Sequence, residues 1–184
     1  MRVVIATTLL LFAGCFQFSR AQQTASTPNP PTSLSENVLN AEIKSARGPS
    51  FRLADFAGKV LIINFWATWA GPSRMEAPLL IDLQKHYWSR GVRVVGLNTE
   101  NVEDSRIEVR RWLSLFHPQY KIGWASGPLM TLLDVDPGRG LLPQTYVVSP
   151  TGRIVRRLLG FNPDKRETEL KAAIEEALRN TPTP

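Results

Sequence analysis

The hydrophobic run Val60-Leu-Ile-Ile-Asn-Phe65, followed within a few residues by the turn Trp69-Ala70-Gly71-Pro72, constrains this chain more than any other feature. An apolar run of that length, without polar alternation, reads as a strand buried on both faces, which needs helices above and below the sheet. A helix is expected over residues 73–88, with Met75, Leu79, Leu83 and Tyr87 at four-residue spacing and Gly91 ending it. Residues 92–97 then give a second buried strand. The segment is a strand–helix–strand unit.

The remainder extends the same architecture. Val109, Trp112, Leu113 and Phe116 fall at i, i+3, i+4, i+7, a second amphipathic helix with Pro118 just past its end. Residues 144–149 and 154–159 flank the turn Pro150-Thr151-Gly152 and predict a hairpin. Leu170, Ala173, Ile174, Ala177 and Leu178 predict a closing helix, with Asn162-Pro163 as cap and first-turn proline. Upstream, residues 38–43 and 51–53 read as short strands about the turn Gly48-Pro49, and residues 55–58 as a short turn or helix.

Length and composition bound what this fold can be used for. A chain of 184 residues holds one ordinary domain plus extensions, and 43% hydrophobic with 21% charged residues is a globular composition. The net charge of +6 is dispersed apart from Arg110-Arg111 and Arg156-Arg157, so the chain lacks the basic run that nucleic-acid binding requires. The sole cysteine, Cys15, lies in the N-terminal apolar segment, which leaves the folded part without a disulfide or thiol nucleophile. His86 and His117 have no second ligand at metal spacing. Asp134-Val-Asp136-Pro-Gly138 lacks the closing Glu of a calcium loop, since its twelfth position is Thr145. No metal site is expected. Composition leaves the oligomeric state open.

The N-terminus reads as a targeting segment. Arg2 precedes an apolar stretch over residues 3–18, too short for a comfortable membrane span. Residues 1–21 are expected to form a signal peptide cleaved after Ala21. The alternative is a lipoprotein signal, Leu11-Phe12-Ala13-Gly14-Cys15, with Cys15 lipidated. Either places the domain outside the cytoplasmic membrane, periplasmic or secreted, and touching a membrane only through that signal or lipid. Residues 22–34, rich in Pro, Ser and Thr, read as a flexible linker. Residues 35–180 form the domain and 181–184 a tail.

Four local patterns, in order, carry a family resemblance over residues 38–178. They are Phe51-Arg-Leu-Ala-Asp-Phe-Ala-Gly-Lys59, Asn64-Phe65-Trp66-Ala67-Thr68-Trp69, Ser73-Arg-Met-Glu76-Ala-Pro78 and Leu142-Pro143-Gln144-Thr145-Tyr-Val-Val. Together they resemble the extracytoplasmic thioredoxin-like proteins of the TlpA/ResA type, thiol-disulfide oxidoreductases of the redoxin group. The resemblance implies an α/β fold, a thioredoxin-like three-layer sandwich with a central mixed sheet flanked by helices and an N-terminal strand extension. It implies a cis bond between Leu142 and Pro143, facing the Trp69-Ala70-Gly71-Pro72 turn and able to pair beside an extended segment of a protein partner. It also implies site-proximal acids at Glu76 and, with less similar local spacing, Glu100. No cofactor is implied.

The family's two redox cysteines correspond here to Ala70 and Ser73. Thiol–disulfide exchange needs one thiolate to attack and a second thiol to resolve the mixed disulfide. A methyl group and a hydroxyl supply neither. Ser73-x-x-Glu76 fits a capping box better than a nucleophile, because no base is placed beside it. Trp66 is expected in the core, and Trp69 beside the turn on an exposed binding surface with Gly71, Pro72, Leu142 and Pro143. These residues imply a redox-inactive exported protein that binds a protein partner. The alternatives are a thiol-disulfide oxidoreductase whose Cys pair is mutated or supplied by a partner, and a domain that decorates an envelope complex.

Overall fold

In the computed structural model, which describes residues 32–139 and 141–179, six strands form one mixed sheet. The first elements in chain order are helix α1 (Glu36–Asn40), strand β1 (Lys44–Ser45), strand β2 (Val60–Trp66), helix α2 (Gly71–Tyr87) and strand β3 (Val92–Asn98). There follow helix α3 (Val102–Phe116), strand β4 (Lys121–Trp124), helix α4 (Gly127–Leu132), strands β5 (Gln144–Val148) and β6 (Ile154–Leu159), and helix α5 (Arg166–Arg179). The expected signal segment with Cys15, residues 22–31 of the linker and the 181–184 tail lie outside the described residues.

The strand order is β1-β4-β3-β2-β5-β6. β2 and β3 run parallel, from Val60 opposite Val92 to Trp66 opposite Asn98, and β5 pairs antiparallel to β2 with Asn64 opposite Thr145. Every residue of β2 is buried, as a central strand covered on both faces must be. Alternate side chains feed two cores. Val60, Ile62, Val94 and Val147 pack against Leu80 and Leu83 of α2 and Leu170 and Ile174 of α5. Farther along, Trp66 stacks on Trp112 of α3 with ring centroids 4.4 Å apart. Leu61, Ile63, Phe65 and Tyr146 enter the other core with Leu53, Leu129 and Leu133. The three-layer α/β sandwich is therefore as expected.

Several local expectations are corrected. Val38 lies in α1 rather than in a strand, capped by Ser35, and the expected N-terminal strand pair reduces to β1 and a single Ile43–Phe51 bridge. Residues Leu53–Phe56 form a 3-10 turn. β4 and α4, which were not expected, occupy the stretch between α3 and β5. Gly123 of β4 leaves room for Ile43, since an added Cβ would come within 2.5 Å of that side chain.

The buried face of α2 also differs from the four-residue stripe. Each step of four residues advances about 40° beyond a full turn, so Leu83 and Tyr87 face inward while Met75 is 57% exposed. The inward set starts instead from Ser73, Glu76 and Ala77. A 3-10 turn, Trp88–Arg90, follows α2, and Gly91 closes it at φ 82°. α5 begins later than Pro163. Asn162 Oδ1 accepts the Asp164 N–H at 3.0 Å, opening a turn ahead of the helix.

Candidate functional site

The ends of β2 and β3 and the start of α2 meet at one edge of the sheet, with the start of β5 beside them. Ligand sites of open α/β sheets collect outside such carboxyl ends. The chain leaves β2 through Ala67-Thr68-Trp69-Ala70, a turn clamped from two sides. The Thr68 N–H donates to Glu100 Oε2 at 2.5 Å, and Thr68 Oγ1 donates to Glu100 Oε1 at 2.9 Å. Asn98 Nδ2, at the end of β3, donates to the same carboxylate at 2.9 Å. From α2, Arg74 Nη2 and Nε donate to the Thr68 carbonyl at 2.8 and 3.1 Å. Glu100 is thus engaged in holding the turn, with charge-assisted bonds that are stronger than neutral ones.

The clamped turn displays Trp69, which is 61% exposed, while Trp66 is buried. Gly71 and Pro72 are exposed at the first two positions of α2, where a proline's missing N–H is no loss. Ala70 is the N-cap residue and its methyl group joins the core. The Leu142–Pro143 peptide is cis. Both residues are buried, and Leu142 belongs to the core beside Tyr146. Neither Leu142 nor Pro143 therefore offers side-chain surface, contrary to expectation; Leu141 is the exposed residue there.

The capping box expected from Ser73 and Glu76 does not form. The Ser73 and Arg74 N–H groups both reach the Ala70 carbonyl, at 3.1 and 3.3 Å. Ser73 Oγ is buried without a hydrogen-bond partner. Glu76 turns inward because it has stronger partners under the sheet. Its Oε2 accepts Asn64 Nδ2 at 2.7 Å and Thr145 Oγ1 at 3.1 Å, and Arg166 Nη1 of α5 stands 3.3 Å from Oε1. Burial raises the Glu76 pKa from 4.5 to about 7, against the opposing pull of Arg166, Thr145 and Asn64.

Asn64, Thr145 and Arg166 were not singled out in the sequence. Asn64 could have been, as the one polar residue inside the apolar run, since a buried amide needs partners. Arg166 carries no such signal; a basic residue at a helix start reads as solvated. No cluster of three or more His, Cys, Asp or Glu side chains able to hold a metal exists among the described residues, and none of their helices is long and apolar enough to cross a membrane.

Comparison with known proteins agrees with this geometry. The chain is 32% identical over 155 residues to the thiol:disulfide interchange protein HelX of Rhodobacter capsulatus, spanning 81% of this chain and 80% of HelX. It is 29% identical over 131 residues to the thiol-disulfide oxidoreductase ResA of Bacillus subtilis, spanning 70% and 69% of the two chains. In structure it superposes on a secreted thiol-disulfide isomerase from Corynebacterium glutamicum with a TM-score of 0.66 at 17% identity, covering 84% of this chain and 96% of that one. The AhpC/TSA family model matches residues 34–157. With its thioredoxin-like sheet and its likeness to ResA and HelX, the chain belongs to the AhpC/TSA family.

Proposed function

We propose that this is an exported, redox-inactive member of the thiol-disulfide oxidoreductase lineage that acts by binding a protein partner at the Trp69 turn. The carrying observation is that Trp69, 61% exposed, stands on a turn clamped by Glu100 and Arg74 beside Ala70 and Ser73, which bear no sulfur. A large exposed aromatic on a turn held by that many bonds is the kind of anchor that dominates protein interfaces. The cis Leu142–Pro143 peptide leads into β5, whose Gln144 lies opposite Phe65 near the end of β2, and an extended segment of the partner would pair with the backbone there. The apolar segment over residues 3–18 supports export, by signal cleavage after Ala21 or lipidation at Cys15.

The test is a disulfide-reductase assay on the exported protein beside its Ala70→Cys/Ser73→Cys variant. The expected result is turnover by the double variant alone. Turnover by the unmodified protein would overturn the redox-inactive reading. Membership in a family with thiol-disulfide relatives favours one second reading, in which a partner supplies the thiols. Activity that appears only when a dithiol protein is added would select it.

A further inference from the structure

At the end of the sheet opposite the Trp69 turn, β3 runs past β4. β4 begins at Lys121, opposite Val95, so Val92 to Val94 have no strand beside them on that side among the described residues. An open edge leaves backbone donors without a ladder. Here the Val94 N–H donates to Gln84 Oε1 at 2.6 Å. That bond fixes the orientation of the amide, because only its oxygen can accept. Gln84 Nε2 is then a buried donor without a partner, on a side chain that is 3% exposed.

Gln84 stands in the wall of two adjoining cavities. One, of about 400 Å³, has Trp88 and Tyr120 as apolar walls and Arg47, Arg93 and Lys121 around it. The other, of about 410 Å³, shares Gln84, Trp88 and Gln119 and adds Lys85. No carboxylate lines either. Two of the cations are already held in place. The Arg93 guanidinium lies 3.4 Å from the Trp88 ring centroid, and its Nη1 donates to the Trp88 and Val92 carbonyls at 2.9 and 2.8 Å. Arg47 Nη2 donates to the Leu113 carbonyl at 3.2 Å. Each guanidinium keeps further N–H groups for a ligand.

We propose that these cavities form a binding site for a small organic anion, independent of the Trp69 turn. A flat apolar body would lie against Trp88 and Tyr120. Its carboxylate or phosphate head would sit among Arg47, Arg93 and Lys121, since guanidinium forks match both anions. The volumes fall within the range of small-molecule sites, which pair apolar walls with a few placed polar groups.

The experiment is titration of the protein with benzoate, phenyl phosphate, inorganic phosphate and benzamide, followed through the backbone and side-chain amide signals in nitrogen-15 NMR. At least one ring-bearing anion is expected to saturate at one per chain, moving the Gln84 side-chain and Val94 signals; the tighter of the two identifies the head. Benzamide and inorganic phosphate, lacking the charge or the ring, should bind at least tenfold more weakly. Arg93→Gln should weaken the anion tenfold or more, and Arg111→Gln, on α3, should leave it unchanged. Absence of saturation at millimolar concentrations, shifts confined to other residues, or equal binding of benzamide or inorganic phosphate would overturn the proposal.

Discussion

Arg166 Nη1 stands 3.3 Å from Glu76 Oε1, and the two side chains are 3% and 1% exposed. Such a pair loses hydration on both sides, and attraction inside the protein only partly repays it. The carboxyl of Glu76 records that balance: with Arg166 beside it, its pKa still rises to about 7.

A pH dependence of stability follows. In the unfolded chain Glu76 titrates near 4.5, and in the folded protein near 7, so the folded state binds the proton more tightly. The stability this confers is fully present below about pH 4.5 and is lost as pH rises through about 7. The gap corresponds to about 3 kcal/mol. Urea unfolding from pH 4.5 to 8 should show the decline for the unmodified protein, and Glu76→Gln should flatten it over that window. An unchanged slope in the variant would locate the titration elsewhere.

Removing the cation alone should be worse than removing both charges. Arg166→Met leaves Glu76 buried with no counter-ion, which pushes its pKa further above 7; once the pH is high enough to ionise it, the unpaired carboxylate carries an expected cost of about 3–5 kcal/mol. The double variant Glu76→Leu/Arg166→Met should recover more than half of that loss, because no charge remains inside. Chemical denaturation of the two proteins at pH 9, on the ionised side of that titration, makes the comparison. A double variant as unstable as Arg166→Met would mean that packing around α5, rather than the charge, sets the cost.

The sequence made the central sheet legible because burial on both faces leaves a compositional mark: the 60–65 run and residues 92–97 both became central strands. Trp66 and Trp69 were separable because one directly continues that run and the other sits in the turn beyond it. β4 escaped notice because Lys121-Ile-Gly-Trp124 is short, contains a glycine and shows no period long enough to read. Val38 looked extended because its apolar neighbours alternate, whereas Ser35 caps a single helical turn there. The polar interior was the least visible part. Glu76 was legible as a position, but its partners come from β2, β5 and α5, up to 90 residues away at Arg166, and local pattern carries no record of such contacts.

The two tryptophans give a direct contrast. Trp69 projects from the clamped turn and packs little, so Trp69→Ala should change stability by no more than about 0.5 kcal/mol. Trp66 stacks on Trp112 in the core, and Trp66→Ala should cost about 3–5 kcal/mol. Thermal unfolding separates the two. A large loss in Trp69→Ala would assign that side chain to packing and remove it as a free anchor.

Ser73 offers the sharpest local test, because the capping box and the observed geometry predict opposite signs. A Ser that caps a helix costs about 1 kcal/mol when replaced by Ala. Ser73 Oγ instead is buried without a partner, three residues inside the N-cap residue Ala70. Removing an unsatisfied buried hydroxyl takes away a desolvation penalty and no bond. Ser73→Ala should therefore leave stability unchanged or raise it by up to about 1 kcal/mol. Asn101 supplies the control: its Oδ1 accepts the Glu103 N–H at 2.8 Å at the start of α3, so Asn101→Ala should lose about 1 kcal/mol. Urea denaturation of both variants beside the unmodified protein decides the matter, and equal losses in the two would restore Ser73 as a cap.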